Sequence, residues 1–231
     1  MKTNDITIAA FPKSGITWLA FLLATARAQA NGLAIRPTFY NIDWLVIDSH
    51  KMEGCEYAHI WSDGMGDFIK THSLWKNVPN VIYLLRNPYD VLKSYYHFEN
   101  RLGNQQSIKE FLKDKIPQWC THVSSWLIQN RSPSQSIHLI EYEAIHSETL
   151  SALFRQLGFE WDVAAALKRS DQERMKANEE RFAAHNPVYR PYELQFVRPG
   201  SVREVAGFEE YREIIKERCG ETYCQVSRLG I

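Results

Sequence analysis

Short apolar or alternating runs recur along the chain and indicate strands. The runs 6–10, 67–72 and 80–85 are brief and rich in apolar residues, and the run 136–141 alternates between polar and apolar positions. Runs of four to eight residues with this character are typical of strands rather than helices. The pattern therefore predicts four strands, with the first ending at a loop that contains proline and glycine.

Between these runs the sequence predicts helices. One extends from Thr17 toward Asn31, where helix formers give way to Asn-Gly. A second opens at Pro88, with Asn87 as its N-cap, and a third follows the capping-box spacing of Ser107 and Glu110. Further helices are predicted to end at 157 and to span 161–182 and 208–218. We expect Pro117 to break the chain before 119–129. We expect 190–200 to form a loop or lid.

This alternation of strands and helices predicts an α/β fold. Apolar strands separated by helices indicate a central parallel sheet flanked by helices, with a P-loop-like strand–loop–helix at the N-terminus. We see no repeat or linker, so residues 1–231 are predicted to form one domain. Lys13–Trp18, Lys70–His72 and Arg86–Ser94 each follow a predicted strand, and we expect them to converge at the edge where such sheets bind ligands.

Composition narrows the class of partner. Lysine plus arginine and aspartate plus glutamate both number 27, so the formal net charge is zero and favours neither nucleic acid nor a membrane surface. Four cysteines are scattered in a chain too large to need stapling, which favours reduced thiols. No signal peptide precedes the first strand, and the apolar stretch 16–26 is too short to span a bilayer. We expect a cytoplasmic protein.

The loop Phe11–Gly15 has the chemistry of an anion site. A phosphate at a strand-to-helix turn is held by free backbone N–H groups and the helix dipole. Here Gly15 permits close approach, Ser14 and Thr17 offer hydroxyls, and Lys13 adds an ammonium group. The lysine precedes the glycine, whereas in Walker A it follows the last glycine, and this argues against an Mg²⁺-dependent kinase. An ordinary strand-to-helix turn with a surface lysine is the alternative interpretation.

The run FPKSGITWL resembles the PKSGTTW signature of cytosolic-type sulfotransferases that use 3′-phosphoadenosine 5′-phosphosulfate (PAPS). In that family the loop binds the 5′-phosphosulfate, its lysine contacts the bridging oxygen, and its tryptophan packs on the adenine. The resemblance assigns these cofactor-binding roles to Lys13, Ser14, Gly15, Ile16, Thr17 and Trp18. Ile16 departs from the usual threonine, so only its backbone N–H is available there.

Two further segments strengthen the resemblance. Lys70-Thr71-His72 is similar to the family's KTH element, which implies that His72 is the general base and that Lys70 helps Lys13 stabilise the transferring group. Imidazole suits a base because its ordinary pKa lies near neutrality. The run VIYLLRNPYDVLKSYYHF resembles the second nucleotide signature, RNPxDVxxSYYxF, and implies that Arg86 and Ser94 bind the 3′-phosphate.

Weaker matches follow in the second half of the chain. Tyr142 corresponds to the tyrosine of a YED element near the nucleotide, and Ser170 to a hydroxyl residue near the adenine. Arg198 and Gly200 fit the start of the family's RKGxxGxWK lid, but its second glycine and its tryptophan are replaced by Arg203 and Val205. The resemblance covers most of the chain but is specific only in the first hundred residues and around Arg198.

The sequence thus predicts sulfuryl transfer from PAPS to a hydroxyl or amine of a small molecule. The product nucleotide would be 3′,5′-ADP, and no metal is expected to be required. Two alternatives stay open: a non-catalytic module that binds 3′-phosphoadenosine nucleotides, and a P-loop-type small-molecule kinase. We expect a small-molecule acceptor and neither nucleic acid nor a membrane as partner, while the sequence leaves the acceptor and the oligomeric state undetermined.

Overall fold

The computed structural model describes residues 4–51, 61, 63–129, 134–185 and 205–228. The chain forms two compact units, and each is assembled from three separate stretches. The first unit takes its described residues from Met1–Ile8, Ile16–Thr71 and Ala144–Pro199. The second takes its described residues from Ala9–Gly15, His72–Glu143 and Gly200–Ile231.

The strands form a five-stranded sheet with the order β2-β3-β1-β4-β5. Their bounds are β1 Ile6–Ala9, β2 Ile47–Asp48, β3 Phe68–Thr71, β4 Asn80–Leu85 and β5 Ser136–Glu141. The pairs β2–β3 and β4–β5 are parallel. The order changes direction at the central strand β1, and the carboxyl end of such a strand is where open α/β sheets bind ligands. The predicted α/β class with a parallel sheet is confirmed.

The described residues also form eight α-helices. Their bounds are α1 Ile16–Ala30, α2 Ile42–Leu45, α3 Pro88–Arg101, α4 Ile108–Ser124, α5 Ser147–Gln156, α6 Val163–Arg169, α7 Gln172–His185 and α8 Arg212–Ser227. Short 3₁₀ turns cover Tyr142–Ala144 and Glu209–Tyr211, and a π-helical turn covers Ser125–Gln129. In the part of the chain that the structure describes, none of these helices combines the length and the apolar character needed to cross a membrane.

Helix α1 is buried along most of its length, because Ala and Leu supply both helix propensity and apolar surface. One charge enters this apolar surface: Arg27 is fully buried, and its Nη2 atom lies 2.7 Å from Asp63 Oδ1. Its Nη1 atom donates to the carbonyl oxygen of Gly66, and its guanidinium lies over the Trp61 ring. The Arg27 hydrogen bonds lower the pKa of Asp63 to about 2. The buried cation is therefore paired, as a buried charge must be.

The core of the second unit lies around β4 and β5. These strands pair in register from Asn80 opposite Ser136 to Leu85 opposite Glu141, and β4 is buried from its second residue onward. Helix α4 contributes the fully buried Trp119, and the π-helical turn after it contributes Trp126. Aromatic rings of this size bury large areas, so they account for much of the core's hydrophobic stabilisation.

The helix caps are confirmed. The Asn87 side chain accepts a hydrogen bond from the N–H of Tyr89 at 3.0 Å, with Pro88 in the first helical position, and Ser107 forms a full capping box with Glu110.

The three described cysteines, Cys120, Cys219 and Cys224, are free thiols, as predicted.

Three expectations about elements need correction. Pro117 does not break the chain but lies inside α4, because buried residues before and after it, Ile116 and Trp119 among them, keep one continuous apolar face. A proline inside a helix removes one backbone hydrogen bond at a cost of about 3 kcal/mol, which this packing outweighs.

The predicted helix 161–182 is two helices that are separated at Ser170, and the final helix extends to Ser227. The loop predicted over 190–200 lies outside the described residues.

Candidate functional site

The loop after β1 forms a tight turn. Lys13 has φ 71° and Gly15 has φ 100°, so two residues of this short loop adopt left-handed backbone. The N–H of the buried Ser14 donates to the Phe11 carbonyl oxygen at 3.2 Å. A lysine with positive φ costs about 1–2 kcal/mol relative to right-handed backbone, so the surroundings must enforce this shape. Turns of this kind direct backbone N–H groups at anions.

Tyr142 and Arg86 enforce that shape. The Tyr142 ring fills the space beside Gly15, since a Cβ atom built there would lie 2.5 Å from Tyr142 Cε2. The Arg86 guanidinium lies 4.2 Å from the centroid of the same ring, and its Nη1 donates to the Lys13 carbonyl oxygen at 3.3 Å. The structure therefore brings together Lys13, Gly15, Arg86 and Tyr142, which belong to three separate sequence motifs.

Arg86 retains unused hydrogen-bonding capacity. It directly follows β4 and is buried, yet its Nε atom has no hydrogen-bond partner within the described part of the chain. A buried guanidinium N–H without an acceptor is costly, and phosphate oxygens match its planar fork. Arg86 therefore has the burial and the free donor that binding of a phosphate requires.

Helix α3 carries two more residues of the second unit's part of the site. Ser94, the second predicted ligand of the 3′-phosphate, is buried on this helix two turns after its start. The Phe98 ring, one turn further on, lies 4.2 Å from Lys13 Nζ, a cation–π distance. Thus α3 supplies both a buried hydroxyl and the ring against which the loop lysine rests.

The hydrogen bond of His72 sets its tautomer. Its Nδ1 atom lies 2.7 Å from the Ala10 carbonyl oxygen, at the end of the segment that leads into the loop. A carbonyl only accepts, so Nδ1 carries a hydrogen and donates it. In the neutral ring Nε2 is then unprotonated and is the basic nitrogen of the imidazole.

A second histidine, His122, lies beside His72 and was not anticipated from the sequence. It is buried on α4, its Nδ1 atom lies 2.9 Å from the hydroxyl oxygen of Tyr83, and its ring is 5.7 Å edge-on from that of Phe11. Burial disfavours the charged form of the His122 ring and, with a smaller contribution from the neighbouring His72, lowers the pKa of His122 to about 4. His122 is therefore neutral near pH 7. Its ring packs against Phe11, the residue after Ala10, whose carbonyl oxygen binds His72.

The first unit holds the predicted ligands of the first motif from Ile16 onward, together with Ser170. Ile16 is buried at the start of α1, while Thr17 and Trp18 are half-buried in its first turn. Trp18 Nε1 donates to the Ser170 carbonyl oxygen at 3.0 Å, and the hydroxyls of Ser170 and Thr25 lie 3.1 Å apart. The structure thus brings Trp18 and Ser170 together, although 152 positions separate them in the sequence.

Lys70, also in the first unit, has acidic partners. Its Nζ atom lies 2.7 Å from Asp43 Oδ1 and 3.3 Å from Asp48 Oδ2. Neither carboxylate is predicted from the sequence pattern. Asp48 lies in β2, which has only two residues and so produces no periodic signal, and Asp43 is 27 positions from Lys70. Nothing local in the sequence indicates that pairing.

Two predicted ligands cannot be placed. Arg198 and Gly200, assigned to the lid, lie outside the described residues. The convergence of Lys13–Trp18, Lys70–His72 and Arg86–Ser94 stays a prediction, since these segments are divided between the two units.

Comparison with known proteins identifies the family. Residues 3–203 match the family model described as the sulfotransferase domain, so the chain belongs to that family. Sulfotransferase 2B1 of Homo sapiens is 24% identical over 172 residues, which covers 69% of this chain and 47% of that protein. The 3-beta-hydroxysteroid sulfotransferase of Cavia porcellus is 24% identical over 248 residues, covering 94% of this chain and 84% of that protein. The chain spans about half the length of several curated relatives that it matches: 47% of human sulfotransferase 2B1 and 59% of sulfotransferase 1E1 of Cavia porcellus.

Solved structures share the fold. Retinol dehydratase in complex with retinol and PAP superposes with a TM-score of 0.64 at 15% identity, covering 96% of this chain and 82% of that one. A mouse sulfotransferase complexed with PAP gives a TM-score of 0.61 at 16% identity, covering 97% and 88%. At such identities the likeness establishes the fold, a single α/β domain with a central parallel sheet flanked by helices.

Proposed function

We propose that this chain is a PAPS-dependent sulfotransferase that acts on a hydroxyl or amine of a small molecule. The observation that carries the proposal is the arrangement of Lys13, Gly15, Arg86 and Tyr142, which builds an anion-binding turn beside a buried arginine with a free donor. Family membership and the PAP bound in two structures of the same fold support the choice of nucleotide. We further propose a cytoplasmic location.

The residues present suit a nucleotide with two separate phosphate positions. The backbone N–H groups of Lys13 and Gly15 and the N-terminus of α1 would hold the 5′-phosphosulfate. The hydroxyls of Ser14 and Thr17 would add to this site. No acidic residue lies in the first turn of α1 to oppose an anion there. Arg86 and Ser94, both buried, would hold the 3′-phosphate. Trp18 and Ser170, which share a hydrogen bond, would contact the adenine, with Arg198 and Gly200 closing over the nucleotide.

The transfer chemistry follows from the tautomer of His72, in which Nε2 is the basic nitrogen. PAPS supplies a sulfuryl group that is already activated by its bond to a phosphate. His72 Nε2 accepts the proton of the acceptor hydroxyl or amine as the new oxygen–sulfur or nitrogen–sulfur bond forms. The ammonium groups of Lys13 and Lys70 stabilise the negative charge that develops as the bond to the phosphate breaks. The products are the sulfated acceptor and 3′,5′-ADP, with the proton on His72.

The acceptor is proposed only as a class. The names of relatives include a hydroxysteroid and an amine sulfotransferase, and structures of this fold hold retinol or androsterone. We therefore favour a small, largely apolar compound with one hydroxyl or amine group. Its recognition would rest on apolar contact, with His72 selecting the reacting group.

Mass spectrometry of small-molecule extracts tests the proposal. Extracts incubated with the protein and PAPS should contain sulfated products that are missing without PAPS and missing with a His72→Gln variant. A matched control is His185→Gln, which changes an exposed histidine at the end of α7 and should leave product formation intact. Sulfated products that form equally with the His72→Gln variant would show that another group is the base.

A non-catalytic nucleotide-binding module is the second candidate. The observation in its favour is that Lys70 is bound by two carboxylates, which neutralise the charge that transfer requires. Such a module binds 3′,5′-ADP as tightly as an enzyme does but yields no sulfated product from any extract. Binding measured by calorimetry, set beside the mass spectrometry, separates the two functions.

A further inference from the structure

Lys70 belongs to a chain of four alternating charges in the first unit. Its ammonium contacts Asp43 at 2.7 Å and Asp48 at 3.3 Å, and Asp43 also contacts Lys51 at 2.6 Å. Two positive and two negative groups balance within this cluster. Its two cations differ in exposure: the Lys51 side chain is 55% exposed, whereas that of Lys70 is 10% exposed.

The backbone prepares the contact with Asp48. In the parallel pair β2–β3, Asp48 lies opposite Lys70, so both side chains are on one face of the sheet. The N–H of Ser49 donates to the Lys70 carbonyl oxygen at 3.1 Å and continues that pairing. Asp43 comes from α2, which directly precedes β2, so a single short stretch supplies both carboxylates.

Asp43 is the better placed of the two. Burial opposes ionisation of its carboxyl, yet attraction to Lys70 and hydrogen bonds from Lys51 and Lys70 hold its pKa below the ordinary value. It is therefore a carboxylate at neutral pH. Its 2.7 Å contact satisfies the criteria for a charge-assisted hydrogen bond, which restricts the direction in which the lysine chain points.

We propose that Asp43 is a positioning residue for sulfuryl transfer: it fixes the rotamer of Lys70, so that the ammonium is held ready for the transferring group. A lysine side chain is flexible, and a fixed carboxylate removes much of its rotamer freedom before the substrate arrives. The inference rests on the proposed function, since it assigns a task to Lys70 in that reaction. It also explains why carboxylates lie beside a residue that needs positive charge.

A double-mutant cycle tests this coupling. The variants are Asp43→Asn, which keeps the shape of the side chain but removes its charge, Lys70→Met, and both together. We expect Asp43→Asn to lower kcat about tenfold, less than the roughly hundredfold that a 1 Å misplacement can cost, because Asp48 still contacts Lys70. We expect Lys70→Met to lower kcat about a hundredfold, as the loss of one stabilising donor does. The double variant should match Lys70→Met, because Asp43 acts only through Lys70.

Two further readouts separate positioning from general damage. Binding of 3′,5′-ADP, which lacks the sulfuryl group, should be unchanged in Asp43→Asn. Asp43→Glu, which restores the charge on a longer side chain, should recover part of the lost kcat. A matched control is Asp114→Asn, which removes an exposed aspartate paired with Lys115 and should leave kcat unchanged.

The possible failures are distinguishable. An active wild type whose Asp43→Asn variant keeps full kcat overturns this inference alone, and so do losses that multiply in the double variant. Loss of 3′,5′-ADP binding in Asp43→Asn also overturns it, because the residue would then support the fold or the nucleotide. A wild type that transfers no sulfuryl group overturns the proposed function and this inference with it.

Discussion

Tyr142 lies against Gly15 so closely that the glycine position has no room for a side chain. A Cβ atom built there would be 2.5 Å from Cε2 and 2.6 Å from Cδ2 of the tyrosine ring. The backbone at Gly15 also has φ 100°, a conformation that residues with a side chain rarely adopt. Conformation and packing therefore both require glycine at the turn that would hold the 5′-phosphosulfate.

We predict that Gly15→Ala weakens binding of 3′,5′-ADP by at least about tenfold, because the ring and the loop must move apart. Left-handed backbone adds about 1–2 kcal/mol of strain on its own. Calorimetric titration measures the affinity, and denaturant unfolding measures the stability. The matched control is Gly103→Ala, where φ is 90° but nothing lies within 4 Å of the added Cβ.

Gly103→Ala should therefore lose stability through strain alone and bind the nucleotide normally. Equal affinity in the two alanine variants would contradict the role given to the Gly15–Tyr142 contact. A Tyr142→Ala change added to Gly15→Ala removes the clash but also the ring under Arg86, so we expect it to restore stability more than affinity.

Arg86→Met should discriminate between nucleotides. The variant removes the proposed partner of the 3′-phosphate, so binding of 3′,5′-ADP should weaken by about 2 kcal/mol, the scale of a charge-assisted hydrogen bond. Binding of adenosine 5′-phosphate, which lacks the 3′-phosphate, should change little. Arg155→Met, at an exposed arginine of α5, is the control that should affect neither nucleotide.

An equal loss for both nucleotides would contradict this assignment. It would instead place the effect of Arg86 on the loop, through its bond to the Lys13 carbonyl oxygen. Titration of the same variants with both ligands separates these two roles.

His122 should make stability depend on pH. Its pKa is about 4 in the folded protein, against an ordinary value of 6.5, mainly because burial disfavours the charged ring. As the pH falls, this histidine is therefore protonated in the unfolded chain before it is protonated in the folded protein. The free energy of unfolding should decrease between pH 6.5 and 4, by at most about 3 kcal/mol, and this contribution is fully present above pH 6.5.

Denaturant unfolding at several pH values measures this slope. His122→Asn, which keeps a polar group near the Tyr83 hydroxyl but does not titrate, should flatten the profile between pH 6.5 and 4. Wild type and variant with the same slope would contradict the buried, neutral state of His122.

The sequence predicts this structure well where the signals are local. The apolar run of β4 and the alternating run of β5 give both strands their observed bounds, and Asn87-Pro88 marks the start of α3 because its cap uses only adjacent residues. The residues of the first loop and Arg86 were found because they form contiguous motifs.

The rest depends on contacts between distant positions. Pro117 signals a helix break locally, but the packing of α4 overrides it. The contacts of Tyr142 with Gly15 and of Asp43 with Lys70 join residues with no shared motif. His122 looks like any other helical histidine until burial is known, so neither its neutrality nor its place beside His72 follows from sequence pattern.

Single-turnover transfer from radiolabelled PAPS, measured for wild type and His72→Gln with the nucleotide at saturation, tests the proposed enzyme most directly. The bond from His72 Nδ1 to Ala10 leaves Nε2 as the proton acceptor, so the variant should transfer about 10²–10⁴-fold more slowly. Its affinity for 3′,5′-ADP should stay that of wild type. Transfer by His72→Gln at the wild-type rate would contradict the proposed role of His72. A wild type that transfers to no hydroxylated or aminated acceptor would contradict the proposed enzyme.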